Sequence, residues 1–431
     1  MFRTPMAFRG WLTAAILTLP GGLVTIALCA QTGGNAPAQS AASATPGTPA
    51  GAEKTDGAPP VSDAPSAAET QRTLAAYRQA REKFDAEAAV YWSAVAEKRR
   101  LRRSKRRDGL DVGLDDYVVT QPPRYTGPPP PPREEPPGPP RKYIPVVADF
   151  LKSAQEHFGF APQRPSSEME YKRAYAALAL DAGLTREQIV RIYVFETGGN
   201  GAYDSQAGLE YSSKARAVSP ALGYNQLLNT NSVELLAEQG DAFVARLKAR
   251  AAALDGNAKQ ALERKIDVVR KMIALSRTVP DEWKAHDDLA NTPAGLGVHA
   301  LLLDIDVGPL LQVQKLLDSV NFARSRGRAA PLTAAELEMM NLTGDGNGLD
   351  IVMMPAALRE RVPTANFFLQ AGYERNPVAI RNNVVAKLLA VTDAAMDRGT
   401  NLPGARELAA AASEVQTGDR LLPAIQRARS P

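Results

Sequence analysis

A single cysteine, Cys29, stands in this chain of 431 residues, so no disulfide can close within it. Histidine is nearly as scarce: His157, His286 and His299 lie far apart, with no ligand-type residues at metal-site spacing around them. Cys/His metal centres and Cys/His catalysis lack their raw material, and no cofactor or metal is expected. Also missing are a Gly-x4-Gly-Lys-Ser/Thr phosphate loop and a Gly-x-Ser-x-Gly nucleophile elbow. Alternating strand patterns are absent too, which leaves a mainly α fold. The formal net charge is only +4, and much of the basic excess is gathered in Lys98–Arg107, while the C-terminal half mixes both signs. Such a balance supplies no steering toward nucleic acid.

What the chain does have is a series of compositional blocks. Residues 1–30 begin with Arg3 and Arg9 and continue through an uncharged, largely apolar stretch from Gly10 to Ala30, the pattern of an export signal to the periplasm or cell envelope. Three fates stay open for it. Small residues at Ala27 and Cys29, or Ala30, admit cleavage; Cys29 admits lipidation, although Leu28 before it is bulky; and the apolar length admits a retained membrane anchor, although Pro20-Gly21-Gly22 interrupts it. Residues 31–70 form a low-complexity linker too poor in large apolar groups to offset the entropy of ordering. Over 71–107 the residues Leu74, Tyr77, Phe84, Ala88, Tyr91 and Val95 recur near heptad spacing, which predicts one amphipathic helix with Arg81 as a flaw in its stripe. Its basic end reads more readily as a solvated helix end than as a grip on an anionic polymer. Residues 108–145 are a proline-rich spacer, densest at Gly127–Pro132. Residues 31–145 are accordingly expected to be dispensable for chemistry, with a helical domain occupying 146–431.

Within that domain Ser167 with Glu170, Thr185 with Gln188, and Thr333 with Glu336 have capping-box spacing. Periodicity predicts helices over 168–182, 186–196, 232–253, 257–276, 294–304, 308–325, 334–341 and 376–397. Gly344–Asp350 superficially resembles a calcium loop, but Leu349 and Asp350 stand where an oxygen ligand and a glycine are needed, so it reads as a glycine-rich turn. Met339-Met340 and Asn366-Phe367-Phe368-Leu369 read as core.

The chemistry-bearing candidate is Glu196. Ile189, Ile192, Tyr193 and Glu196 follow the i, i+3, i+4, i+7 spacing of one helix face, so a carboxyl shares an apolar stripe. Apolar surroundings disfavour the charged form, and Glu196 is expected to hold its proton near neutrality, as a general acid must. Thr197-Gly198-Gly199-Asn200-Gly201 then ends the helix and leaves the carboxyl at the rim of a cleft. Spacing alone equally admits the commoner state of a last-turn glutamate, a solvated side chain.

Tyr171–Ser232 resembles the catalytic segment of the soluble lytic transglycosylase family, related in fold to goose-type lysozymes. Phe195-Glu196-Thr197-Gly198 matches the glutamate-bearing helix end. Ser219-Pro220-Ala221-Leu222-Gly223-Tyr224-Asn225-Gln226-Leu227-Leu228 matches the family's Ser-Pro … Ala-x-Gly-Leu-Met-Gln element at Ala221, Gly223 and Gln226. Tyr224 and Asn225 replace the family's apolar pair, and an inserted loop, roughly Asn200 to Lys214, lengthens the span to Gln226. The resemblance implies a lysozyme-like helical catalytic domain whose partner is the peptidoglycan glycan strand. It implies that Glu196 protonates the oxygen between N-acetylmuramic acid and N-acetylglucosamine, then takes the proton of the muramic 6-hydroxyl to leave a 1,6-anhydro end. It also implies that Tyr224, Asn225 and Gln226 line sugar subsites and that Ser219 bonds the glutamate. Further on, Asp304–Gly308 loosely matches the start of a later family helix, and Tyr373 in Gln370–Asn376 a cleft tyrosine. Two other readings remain: a hydrolytic muramidase with Asp204 or Glu210 holding the attacking water, and a non-catalytic wall-binding scaffold.

Overall fold

The structure is a computed structural model that describes residues 67–129, 143–209 and 217–428. The export segment with Cys29, most of the 31–70 linker, the prolines after Pro129 in the spacer, and Glu210 lie outside the described residues. Among the described residues every regular element is helical, with isolated bridges in place of strands, so the fold is mainly α.

Helix α1 (Ala67–Arg107) is unbroken. Its first part, to Ala94, belongs to a small compact unit with the segment from Pro122. There Tyr125 meets Tyr77 and Phe84 edge to face at 6.0 and 5.5 Å, and the Arg81 guanidinium lies 4.9 Å from the Phe84 ring centre. The apparent flaw in the stripe is therefore a cation–π partner of that ring cluster.

From Val95 onward α1 belongs to the large unit, and here two expectations are corrected. The basic end is solvated only in part, at Arg100 and Arg107: Arg99 donates to the carbonyls of Asn366 and Phe368, and Arg102 is fully buried, paired with Asp350 at 3.0 Å and stacked 4.4 Å from the Tyr117 ring. Lys105 pairs with Asp116 at 2.8 Å, and Arg106 with Asp350. The start of the expected spacer docks as well, since Tyr117 is buried and the Val118 backbone exchanges two hydrogen bonds, 3.0 and 2.8 Å, with the Asn366 side chain. Charges spent inside the fold are not free to hold a polymer.

The rest of the large unit has two apolar cores. One gathers α3 (Glu168–Asp181), α4 (Arg186–Thr197), α10 (Ala334–Thr343), α11 (Asp345–Val352), α15 (Val385–Gly399) and α16 (Pro403–Ala428). The other gathers α2 (Val147–Phe158), α5 (Asn229–Ala252), α6 (Gly256–Ser276), α7 (Trp283–Ala290) and α8 (Pro293–His299). Helix α9 (Gly308–Ser325) contributes to both: Leu310 and Leu311 to the second, Val313, Leu316 and Val320 to the first. A Cβ at Gly308 would come within 2.3 Å of the Leu302 carbonyl oxygen, so the sharp entry into α9 requires glycine. Among the described residues no single helix is long and apolar enough to cross a membrane.

Capping chemistry explains why several boundaries were readable. Thr185 accepts from the Gln188 amide while Gln188 accepts from that of Thr185, and Thr333 and Glu336 do the same. At α3 only half the box forms, because Glu170 turns to Ser166 instead of Ser167. The predicted helix 376–397 is split into α14 (Pro377–Arg381) and α15: the Asn383 carbonyl accepts from Thr364 and the Val385 amide donates to Val362, which draws the intervening residues out of helix. Between them and α11 lie short helices α12 (Ala356–Arg359) and α13 (Gln370–Glu374). The glycine-rich segment 344–350 is not a turn but opens α11; only Gly344, at φ 77°, turns, and Ser319 of α9 anchors Asp345 at 2.7 Å.

Candidate active site around Glu196

Helix α4 delivers Glu196 as its amphipathic spacing requires. Ile189, Ile192 and Tyr193 are fully buried, and Glu196 continues their face one turn later, half-buried. The helix stops at once, with Gly198 and Gly199 at φ 70° and 81°. Glu196 thus occupies the last turn, where the unpaired carbonyls oppose a negative charge.

Beside it stands a second carboxyl absent from the sequence reading. Glu338 of α10 is fully buried, and its carboxyl is an electrostatic neighbour of Glu196. Asn341, one turn further along α10, donates its Nδ2 to Glu196 Oε1 at 2.9 Å. Asn341 lies near both carboxyls, but its well-directed bond goes to Glu196, and neither Glu338 oxygen receives a donor of its own. Burial pushes both groups above the ordinary carboxyl range; for Glu338 the neighbouring Glu196 pushes in the same direction, whereas for Glu196 the side chains of Glu338 and Asn341 pull back. Leu337, Met339 and Met340 around Glu338 are buried, so a carboxyl inside an apolar run was the available signal.

The 219–228 loop does something other than the resemblance implies. Tyr224 points inward and is fully buried, the hub of edge-to-face contacts with Tyr171, Tyr175 and Tyr193 at 4.8–5.3 Å, with its hydroxyl donating to Glu168. Asn225 is buried too: its amide donates to the Gln312 side chain (2.9 Å), its Nδ2 to the Gln312 carbonyl (2.8 Å), and its Oδ1 accepts from Tyr175 (3.2 Å). These two residues fasten the loop to α9 and the first core, and do not line a cleft. Polar groups replaced the apolar pair because each finds a buried partner. A Cβ at Gly223, where φ is 81°, would lie 2.0 Å from Gln312 Nε2, which restricts that position to glycine.

Gln226 is half-buried and is the one described non-glycine residue with positive φ, 42°. That conformation costs about 1–2 kcal/mol, and it is held by Nε2 donating to the Gly223 and Ser205 carbonyls at 2.9 and 3.2 Å. Ser219 Oγ accepts from the Ala221 amide at 3.1 Å, closing the loop rather than bonding Glu196. Tyr373 on α13 is buried and tilted against Phe368, so it packs rather than lining an open cleft. Asp204 is ion-paired with Arg164 at 2.7 Å. No group of three or more His, Cys, Asp or Glu side chains among the described residues could hold a metal ion. Of the sequence candidates, Glu196 alone lies in the carboxyl pair.

No family model matches the chain, and neither a curated protein nor a solved structure matches it at a significant level.

Proposed function

We propose that this chain is a peptidoglycan lytic transglycosylase of the cell envelope, with Glu196 as acid and then base. One observation carries the reading: a carboxyl in the last turn of an apolar helix is pushed up to about 7 by burial, lies beside a second carboxyl, and is oriented by a hydrogen bond from Asn341 at 2.9 Å. A glutamate so placed can give its proton to the glycosidic oxygen, and the leaving sugar then carries that proton as a hydroxyl. The substrate acetamido group supports the cationic centre at C1. The resulting Glu196 carboxylate removes the proton of the muramic 6-hydroxyl, whose oxygen closes on C1, and the acid is restored without water. The resemblance of Tyr171–Ser232 to soluble lytic transglycosylases supplies the substrate class, and the export pattern of residues 1–30 the compartment. The residues of 219–228 enter this reading as a scaffold, with Gln226 alone partly accessible.

Digestion of purified sacculi with the purified chain, read by mass spectrometry of the released muropeptides, tests the reading. Anhydromuramic ends released by the natural chain and absent with Glu196→Gln are the expected result. No release by the natural chain would overturn it.

A further inference from the structure

A negative charge on Glu338 would need a cation or donors among the groups packed around it. Helix α10 packs against α4, α9, α11 and α15; Arg324 of α9 and Lys387 and Arg398 of α15 do not act on Glu338, and the other charged side chains of these elements face groups elsewhere. Arg191 of α4 pairs with Glu187 of its own helix and with Asp393 and Asp397 of α15 at 2.7–3.2 Å. Asp350 of α11 binds Arg102, and Asp345 accepts from Ser319. Lys315 of α9 faces Glu234, Glu238 and Asp318. On α10 itself Glu336 is held by Arg328 and Arg359 at 3.0 and 3.1 Å. The one charged group acting on Glu338 is therefore Glu196. An ionised Glu338 would have no solvent, no cation and a like charge against it.

The hydrogen bonding around Glu338 points the same way. A carboxylate only accepts, and Glu338 accepts no bond from any N–H or O–H donor. A hydrogen bond between two carboxyls needs a proton, and of the two Glu196 is the better place for the charge, because its residue is partly exposed and it accepts from Asn341, whereas Glu338 is fully buried and has no such donor.

We propose, resting on the reading of Glu196 as acid and base, that Glu338 is a permanently protonated positioning residue that donates its carboxyl proton to Glu196 throughout the cycle. The pair holds two protons when Glu196 is the acid. Once Glu196 has protonated the leaving oxygen it holds one, which stays on Glu338, bonded to the new carboxylate. Glu338 and Asn341 then stabilise that carboxylate from the buried side while its other face meets the 6-hydroxyl. The same bond keeps the acid from becoming too weak, because it offsets part of the burial that raises Glu196. Glu338 does not touch substrate; it acts through Glu196.

The test is a carbon-13 titration of the full chain with carboxyl-labelled glutamate, assigned by difference spectra against Glu196→Gln and Glu338→Gln. It reads the pair whether or not the chain cleaves glycan, so its failure is separable from that of the proposed function. Expected is a Glu338 signal that stays in the protonated position from pH 5 to 8 while Glu196 titrates. In Glu338→Leu the Glu196 midpoint should move up by about one pH unit, and the alkaline limb of any cleavage profile with it. Glu338→Gln, which still donates an N–H, should bring the midpoint back toward the natural one. A Glu338 signal that ionises in the ordinary carboxyl range, or a Glu196 midpoint unmoved in Glu338→Leu, overturns the proposal. If the leucine variant does not fold, the titration of the natural chain decides alone.

Discussion

Arg102 of α1 and Asp350 of α11 form an ion pair, 3.0 Å from Nε to Oδ2, in which neither side chain reaches solvent. The guanidinium also donates to the Asp116 carbonyl at 3.0 Å and covers the Tyr117 ring, so its remaining polarity is spoken for. Removing Asp350 leaves the buried Arg102 charge without its carboxylate, which costs about 3–5 kcal/mol, whereas without Arg102 the carboxylate still has Arg106, and replacing both by apolar groups of similar size is milder. We expect Asp350→Ala to lower stability by that amount in urea unfolding, Arg102→Ala to cost less, and Arg102→Met with Asp350→Leu to lose less than the sum. Additive losses would mean that the pair is not a unit.

The same contacts reverse an expectation about truncation. A chain starting at Arg141 lacks Arg99, Arg102, Arg106 and Val118, and so leaves Asp350, the Phe368 carbonyl and the Asn366 Oδ1 without their partners. It should unfold at a lower temperature than a chain starting near Ser66, measured by circular dichroism. Equal melting points would return α1 to the status of a detachable arm.

How far the sequence could be read depended on the range of the interaction. Capping boxes and the stripe through Ile189, Ile192 and Glu196 are local, and α3, α4 and α10 begin where those signals put them. Arg102 and Asp350 are separated by 248 positions, Arg99 and Phe368 by 269, and no local rule joins them. Hence a run of arginines looked like a solvated end. Glu338 was hidden for the same reason: its meaning lies in Glu196, on another helix. The motif 219–228 misled differently, since Tyr224 and Asn225, which depart from the family pattern between its matched positions, were assigned to a cleft although the tyrosine cluster and Gln312 draw both inward.

Glu196→Gln preserves size and can still accept from Asn341 but cannot give up a proton, so cleavage of sacculi should fall by at least about a hundredfold while the helical spectrum is unchanged. A variant that clears sacculi at the natural rate would remove Glu196 from the mechanism.

Stability should depend on pH through the same carboxyl. Glu196 is pushed up to about 7 by burial, so between the ordinary carboxyl range and that value the folded chain holds a proton that the unfolded chain has released. With more protons bound in the folded state, stability falls as pH rises through this window, and the contribution is complete only below it. Glu234 and Asp318, also raised by burial, add to the slope, so the comparison must be between variants. The melting temperature should drop less between pH 5 and 8 in Glu196→Gln than in the natural chain. Identical slopes would show that Glu196 titrates like an ordinary surface carboxyl.

The products should end in 1,6-anhydromuramic acid, lighter by one water than those of a hydrolase, and the reason is the geometry around Glu196. An inverting hydrolase keeps its two carboxyls roughly 6.5–9.5 Å apart so that a water fits between them. Glu338, the electrostatic neighbour of Glu196, is instead sealed from solvent and has no water to activate. The other described candidate, Asp204, is engaged with Arg164. Asp204→Asn should therefore keep most of the activity, and Glu210→Gln likewise, with anhydro ends detected in both digests. Reducing-end products, together with a severe loss in either variant, would show that a water held by the 200–214 loop attacks the glycan and that the transglycosylase chemistry is wrong.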